Sequence, residues 1–444
     1  MKQKLLLLLG LVVMTTPAMA QREIEFEEFD LDNGLHVILH EDHSTPIVAV
    51  TVLYHVGSKN EVEGRTGFAH FFEHLLFEGS ENIARGEYSE IVQANGGVLN
   101  ANTTQDRTFY YEILPSNQLE LGLWLESERM LHANIDQEGV DTQREVVKEE
   151  KRQRIDNQPY ASFSAEMFER AFTEHPYNWT PIGSLDDLNA AKLDEFMDFY
   201  DVFYVPNNAT LSIAGDIDPD QAKEWINKYF ATIPAGTQEI PRPNIQEPPL
   251  GGEIVDTVYD NIQIPAVFMG YRMPGETSAD AYAMSMLTNV LTGGESARLP
   301  KRLVDEEEKA LQVFAFPYTL EDEGIFIVLG LPQIGKSLDT LAMGLDEEIE
   351  KVKSELISER ELEKVRNQVR SQFIQSNSSM SGIAESLANY HVYYGDANLI
   401  NNEIDRYMNV TREDIQRVAQ QYLNTDNRVK LIYLPKDQEQ ASAE

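Results

Sequence analysis

The sequence contains no cysteine. Disulfides and thiolate ligands are therefore excluded, and any bound metal must be held by imidazoles and carboxylates. Positive charge is scarce: 36 Lys and Arg stand against 74 Asp and Glu, a formal net charge of -38. A chain this acidic is a poor partner for nucleic acid or an anionic membrane. The charge fits either a solvated, salt-tolerant surface or a preference for basic peptides. Long apolar runs are also missing. The one candidate, Leu5 to Met14, is too short to span a bilayer. It follows Lys2 and Lys4 and precedes Ala18-Met19-Ala20, the layout of a secretory signal ending at residue 20. Its removal leaves a charge of about -40 and implies an exported chain, periplasmic in a Gram-negative source. A retained anchor is the alternative.

A length of 444 residues exceeds what one core supports, so two domains are expected. Pro234, Pro241, Pro243, Pro248 and Pro249 mark a linker. The expected layout is a signal at 1–20, one domain at 21–235, a linker at 236–252 and a second domain at 253–444. Before the linker, strands are expected at 24–29, 35–39, 47–54 and 209–214, with a hairpin at 98–114 turning at Gln105-Asp106. Helices are expected at 87–95, 117–133, 136–155, 161–174, 185–203 and 220–230. Beyond the linker the order restarts: strands at 254–259, 266–271, 311–316, 324–329 and 429–434, and helices at 279–291, 297–307, 337–354, 359–375, 381–393 and 411–422. The reading is α+β, with two structurally related halves.

The chemistry concentrates at Gly67 to Phe77. Phe68, Phe71, Phe72, Leu75 and Leu76 fall on one helical face. His70, Glu73, His74 and Phe77 form a second stripe. Two imidazoles four residues apart on one helix can reach a single ion at about 2.0–2.1 Å. Glu73 then sits beside that ion, placed to take a proton from water held there. H-x-x-E-H is the inverzincin pattern. In the 136–155 helix, Glu150 shares a stripe with Gln143, Val146 and Val147, and a carboxylate on an apolar stripe needs a partner. Glu150 is thus either a third ligand, with Glu149 its solvated neighbour, or an ordinary surface acid. The hairpin strand with Asn100 and Ala101 reads as an edge able to pair with a peptide or as a plain sheet strand. His175, next to Pro176, reads as structural or as a further ligand.

In these motifs the chain resembles the pitrilysin-type (inverzincin) zinc peptidases, particularly half-size members like the mitochondrial processing peptidase beta subunit. The matching stretches are His70-Phe71-Phe72-Glu73-His74, Arg144 to Glu150, Gly96-Gly97 with Asn100-Ala101, Tyr204 to Asn208, Gly215-Asp216, Gly293-Gly294 and Ser296 to Leu299. The resemblance implies one Zn2+ per chain on His70, His74 and Glu150, with Glu73 as general base. It also implies extended peptides held along Asn100 and Ala101, and two halves forming a chamber around unfolded substrates. Two positions depart from the pattern. Gln143 stands where a second Glu is common, leaving a second-rank role for it near the metal. Asp305 and Gln312 stand where complete enzymes carry a substrate-binding Arg and Tyr. The resemblance therefore implies a subunit that needs a homologous partner lacking H-x-x-E-H. A self-sufficient homodimer and a non-catalytic peptide-binding or assembly subunit are the alternatives.

Overall fold

A computed structural model describes residues 23–438, so the expected signal at 1–20 lies outside the described residues. The first sheet contains β1 (Glu27–Asp30), β2 (His36–Glu41), β3 (Ile47–Tyr54), β4 (Val98–Thr103), β5 (Thr108–Pro115) and β6 (Ala209–Gly215). Its order is β1-β2-β6-β3-β5-β4, which leaves β4 at an edge. The second sheet contains β7 (Ile254–Asp260), β8 (Ala266–Pro274), β9 (Ala310–Tyr318), β10 (Glu323–Pro332) and β11 (Arg428–Pro435), in the order β7-β11-β8-β10-β9. With β1 set aside, the two orders superimpose strand for strand. Each sheet has one parallel pair, β2 with β6 and β7 with β11, in the same place. The α+β reading with related halves holds.

The helices preceding the second sheet are α1 (Phe68–Leu75), α2 (Glu87–Ala94), α3 (Leu119–Leu131), α4 (Gln137–Lys151), α5 (Phe163–Ala171), α6 (Leu185–Ala190), α7 (Leu193–Phe203) and α8 (Pro219–Phe230). Those that follow are α9 (Ala279–Thr292), α10 (Leu338–Ser354), α11 (Glu359–Ser376), α12 (Met380–Tyr394), α13 (Leu399–Asn409) and α14 (Arg412–Tyr422). None of the described helices is long and apolar enough to cross a membrane.

Strand β3 shows how each sheet is covered. Val48, Val50, Val52 and Tyr54 point to one face and join the core with α1, α3 and α8. Ala49 and Leu53 point to the other, where α12 covers them. A strand buried on both faces reads as a continuous apolar run, which is why residues 47–54 show no alternation. The second sheet repeats this: α9, α10 and α14 cover one face, and α5 the other. The covering helices are exchanged, since α5 precedes the proline-rich segment yet packs on the second sheet, and α12 follows it yet packs on the first. Gly270 on β8 permits the first of these contacts; a Cβ there would lie 2.3 Å from Met167 Sδ.

The hairpin turns at Gln105-Asp106 as expected, and both residues are buried. Asp106 accepts hydrogen bonds from Tyr177 Oη at 2.6 Å and from the Glu321 amide at 3.0 Å, and pairs with Lys59 Nζ at 3.0 Å. Two local expectations are corrected. The helix expected over 185–203 is two helices. Arg144 takes the carbonyls of Leu188 and Ala191, and Glu195 caps the new start by accepting from the Lys192 amide. At 297–307 the helix narrows to a widened turn at Pro300–Glu306. Helix α13 has no counterpart in the sequence reading. The proline-rich segment has no regular structure but is tied down on both sides. Arg242 donates to the His55 carbonyl, Glu247 accepts from the amides of Thr173 and His175, and Arg272 donates to the Pro248 carbonyl.

Lys59 is central to this junction. Burial favours discharging it, but Asp106, Glu321 and Asp322 overcome that and hold its pKa above the usual lysine range. Asp106→Ala removes one of the three carboxylates and leaves the Tyr177 hydroxyl with only the longer bond to Asp322, at 3.5 Å. The expected cost is about 3 kcal/mol, measured as a lower urea midpoint with an unchanged slope.

Candidate metal centre

Helix α1 has no side-chain cap from its own N-cap residue, Gly67, whose φ of 93° is the left-handed value that favours glycine. The cap comes from Glu61, whose buried carboxylate accepts from the amides of Gly67 and Ala69, each at 2.8 Å. The negative charge lies at the positive end of the helix dipole. Burial pushes the Glu61 pKa well up, while the amide bonds act in the opposite direction. Phe68, Phe71, Phe72 and Leu75 are buried in the core as the stripe predicts. Phe68 and Phe71 stack on Phe196 of α7, at ring distances of 4.4 and 4.7 Å. With that face fixed, His70, Glu73 and His74 have one direction left.

Helix α4 crosses α1 and brings Glu150 to the histidines. Glu150 Oε2 lies 3.1 Å from His74 Nε2 and 3.5 Å from His70 Nε2. Tetrahedral ligands at about 2.0–2.1 Å from an ion stand about 3.3 Å apart, so this spacing fits one shared ion. The imidazole rings are nearly perpendicular, at 84°. The other carboxylate oxygen of Glu150 pairs with Arg154 at 2.7 Å, leaving Oε2 alone to face the rings. Arg154 is set by a widened turn, Arg152–Asp156, directly after α4; such turns recur at functional sites. One other trio among the described residues, Glu28, His36 and His391, brings ligand atoms equally close, within 4.8 Å. There the rings stack flat, 3.4 Å apart and 4° from parallel, so their lone pairs run side by side instead of converging.

Three of the site's groups, His70, Glu73 and Glu150, titrate away from their usual range. Burial, then the neighbouring His74, lowers the His70 pKa to about 4, so its ring is neutral at pH 7. Burial raises the Glu73 pKa, with the Thr103 bond opposing. The bond from His74 holds Glu150 below the usual carboxylate range. Thr103 Oγ1, on β4, donates to Glu73 Oε2 at 2.6 Å and leaves Glu73 Oε1 free. The cleft over the site takes in Glu73, His74, Asn100, Ala101, Val146 and Arg154, and its lining comes entirely from residues 73–154.

Residues 36–182 match the family described as "Insulinase (Peptidase family M16)", and residues 190–369 match "Peptidase M16 inactive domain". The zinc protease PqqE of Helicobacter pylori is 32% identical over 415 residues, covering 92% of each chain. The chain belongs to peptidase family M16. A zinc protease of Mycobacterium leprae with no assigned function is 27% identical over 399 residues, covering 89% of this chain and 88% of that protein. In structure, a protease from Helicobacter pylori matches with a TM-score of 0.88 at 31% identity, over 93% of this chain and 100% of that one. The periplasmic protease PqqL from Escherichia coli matches with a TM-score of 0.78 at 19% identity, a likeness of fold. This chain covers 48% of PqqL, against nearly all of the smaller M16 relatives.

Within this M16 framework, the residues singled out from sequence fall in different places. His70, Glu73, His74 and Glu150 come together, while Glu149 stands exposed on the cleft wall and accepts from Gln153 at 2.8 Å. Asn100 and Ala101 line the same cleft on the sheet edge. Gln143 bonds Glu78 at 2.5 Å and none of the four central groups. On α4, Val146 departs from the expected inward stripe: it is 43% exposed in the cleft, while Val147 is buried. His175 is buried at the junction, capping the turn at Tyr177, away from the histidines of α1. Asp305 and Gln312 are exposed and do not line the cleft. Sequence reasoning missed Glu61, Thr103 and Arg154. A capping carboxylate seven residues before its helix and a hydroxyl on a separate strand leave no periodic signal.

The lowered His70 pKa fixes the sign of a pH effect. An unfolded histidine titrates near 6.5, so the metal-free fold binds fewer protons than the unfolded chain between about pH 6.5 and 4. Stability is complete above that window and falls as pH drops through it, by on the order of 3 kcal/mol. Urea midpoints of the chelator-treated protein from pH 7.5 to 4.5 measure the slope. His70→Gln is expected to flatten it.

Proposed function

We propose that this chain is a zinc endopeptidase subunit that cuts extended or unfolded peptides. The observation that carries the reading is the convergence of His70, His74 and Glu150 within 4.8 Å, with Glu73 beside them. Two imidazoles and a carboxylate are a zinc donor set, and the absence of cysteine leaves this N/O site as the natural choice. His70, His74 and Glu150 would hold one Zn2+ per chain. When bound, zinc supplies Lewis acidity to the water and the peptide carbonyl brought into the cleft.

The remaining chemistry belongs to the chain's own residues. Glu73, with its pKa raised by burial, takes the proton of the attacking water on Oε1, because Thr103 occupies Oε2. The same proton can then pass to the leaving amine. Strand β4 has one neighbour, β5, so its outer edge is open to main-chain pairing along Asn100 and Ala101. Arg154 orients Glu150, and Gln143 supports α4 from behind through Glu78. The domain division at 21–235 and 253–444, and export to the periplasm, are part of the same proposal.

The cleft is built from one half only, and Asp305 and Gln312 lie outside it. This favours an incomplete site. A homologous partner chain without H-x-x-E-H would supply a substrate-binding Arg and Tyr from the second side.

Hydrolysis of a quenched unstructured peptide, with zinc counted in the same sample, tests the proposal. Glu73→Gln should keep its zinc and lose turnover by about 10²-fold or more. His70→Ala and Glu150→Ala should lose the zinc itself. Full activity in Glu73→Gln would refute the general-base role. The partner requirement is read separately: zinc near one per chain with negligible hydrolysis, restored by mixing with such a homologue, supports it, and strong hydrolysis by the chain alone removes it.

A further inference from the structure

A cavity of about 480 Å³ lies at the junction of the two halves and shares no residue with the cleft over the histidines. Its walls are the β4–β5 turn, the β9–β10 turn, one face of α12, and Glu276 and Glu403. Most of its charges are already committed. Asp106 is held by Lys59 and Tyr177, Arg107 by Glu385 and Asn389, and Glu403 accepts from the Tyr390 hydroxyl.

Glu276 is different. Its backbone amide and carbonyl are bonded to Leu320 and to the Tyr394 hydroxyl, but its carboxylate has no hydrogen bond or ion pair among the described residues. Burial, together with Asp106 and Glu321, raises its pKa to about 8. Two further wall groups are open. The Tyr393 hydroxyl has no hydrogen bond among the described residues, and Gln105, fully buried, uses only one end of its amide, toward Tyr318. The amide can be turned either way, so the open end can be the oxygen. The cavity thus offers an unpaired carboxylate and open oxygen acceptors between tyrosine rings.

We propose that this cavity binds a small organic cation, a guanidinium or primary ammonium head on a short apolar stem, with Glu276 as its counter-ion. A half-buried carboxylate with no partner among the described residues, facing a cavity, favours a cation there. The rings of Tyr318, Tyr390, Tyr393 and Tyr394 suit the stem and the face of such a head. A bare divalent ion is a poorer match, because neither trio of converging ligand atoms among the described residues includes Glu276. The volume lies within the usual range for small-molecule sites, about 300–1,000 Å³.

The test is calorimetric titration of the full chain with N-butylguanidine at pH 8.5, where Glu276 is mostly ionised. N-butylurea, of the same shape without the charge, serves as the neutral comparison. Saturable binding of N-butylguanidine but not of N-butylurea is expected. Glu276→Gln should weaken it by about tenfold or more, and Tyr393→Phe by less. Both variants keep the size of the side chain, and an unchanged urea midpoint verifies that they fold. Competition by an unstructured peptide bearing one terminal arginine would identify peptide side chains as the source of the head; binding of N-butylguanidine without such competition would identify free small cations. No binding of N-butylguanidine, equal binding of N-butylurea, or undiminished binding by folded Glu276→Gln would overturn the assignment.

Discussion

Two backbone amides at the start of α1, those of Gly67 and Ala69, donate to the Glu61 carboxylate and set the geometry on which the rest depends. The helix carries both histidines and the general-base candidate within two turns. So short a helix has little stability of its own. Its first amides would otherwise be orphaned in the core. A carboxylate from the preceding loop satisfies them and places negative charge at the positive end of the dipole. The aromatic face, stacked on Phe196, then fixes rotation about the helix axis. Position and rotation together decide where two imidazoles point.

The second constraint is the exchange of covering helices. Helix α12 closes the back of the first sheet and α5 the back of the second. Neither sheet has a complete core without a helix from the other side of the proline-rich segment. The hairpin bearing β4 gains from this arrangement, because its buried turn is fastened to Lys59, Tyr177 and the amide of Glu321. A peptide-pairing edge needs such fastening, since edge strands are otherwise held on one side only.

The two sheets repeat one topology, yet the site is built on one of them. Strand β9 occupies in the second sheet the edge position that β4 holds in the first. It carries Gln312 there, exposed, beside Phe314. The second half thus contributes a covering helix and a buried anchor for the hairpin, while the cleft draws its lining from the first. A duplicated scaffold can place chemistry on one copy and structural support on the other.

Much of this was legible in the residues themselves. The strand and helix order follows from periodicity, and H-x-x-E-H on an amphipathic helix puts His70, Glu73 and His74 on one stripe because the helical repeat is local. The choice of Glu150 over Glu149 was legible in part, from the stripe, although Val146 on that stripe faces the cleft. Periodicity could not reveal the contacts between distant segments: Glu61 on α1, Thr103 on Glu73, the swapped α5 and α12, the buried Gln105-Asp106 turn, and the cavity around Glu276. The sequence by itself determined which groups share a helix face, since that depends on spacing alone. Only the tertiary structure decided which faces meet, because that depends on packing and charge pairing between residues far apart in the chain.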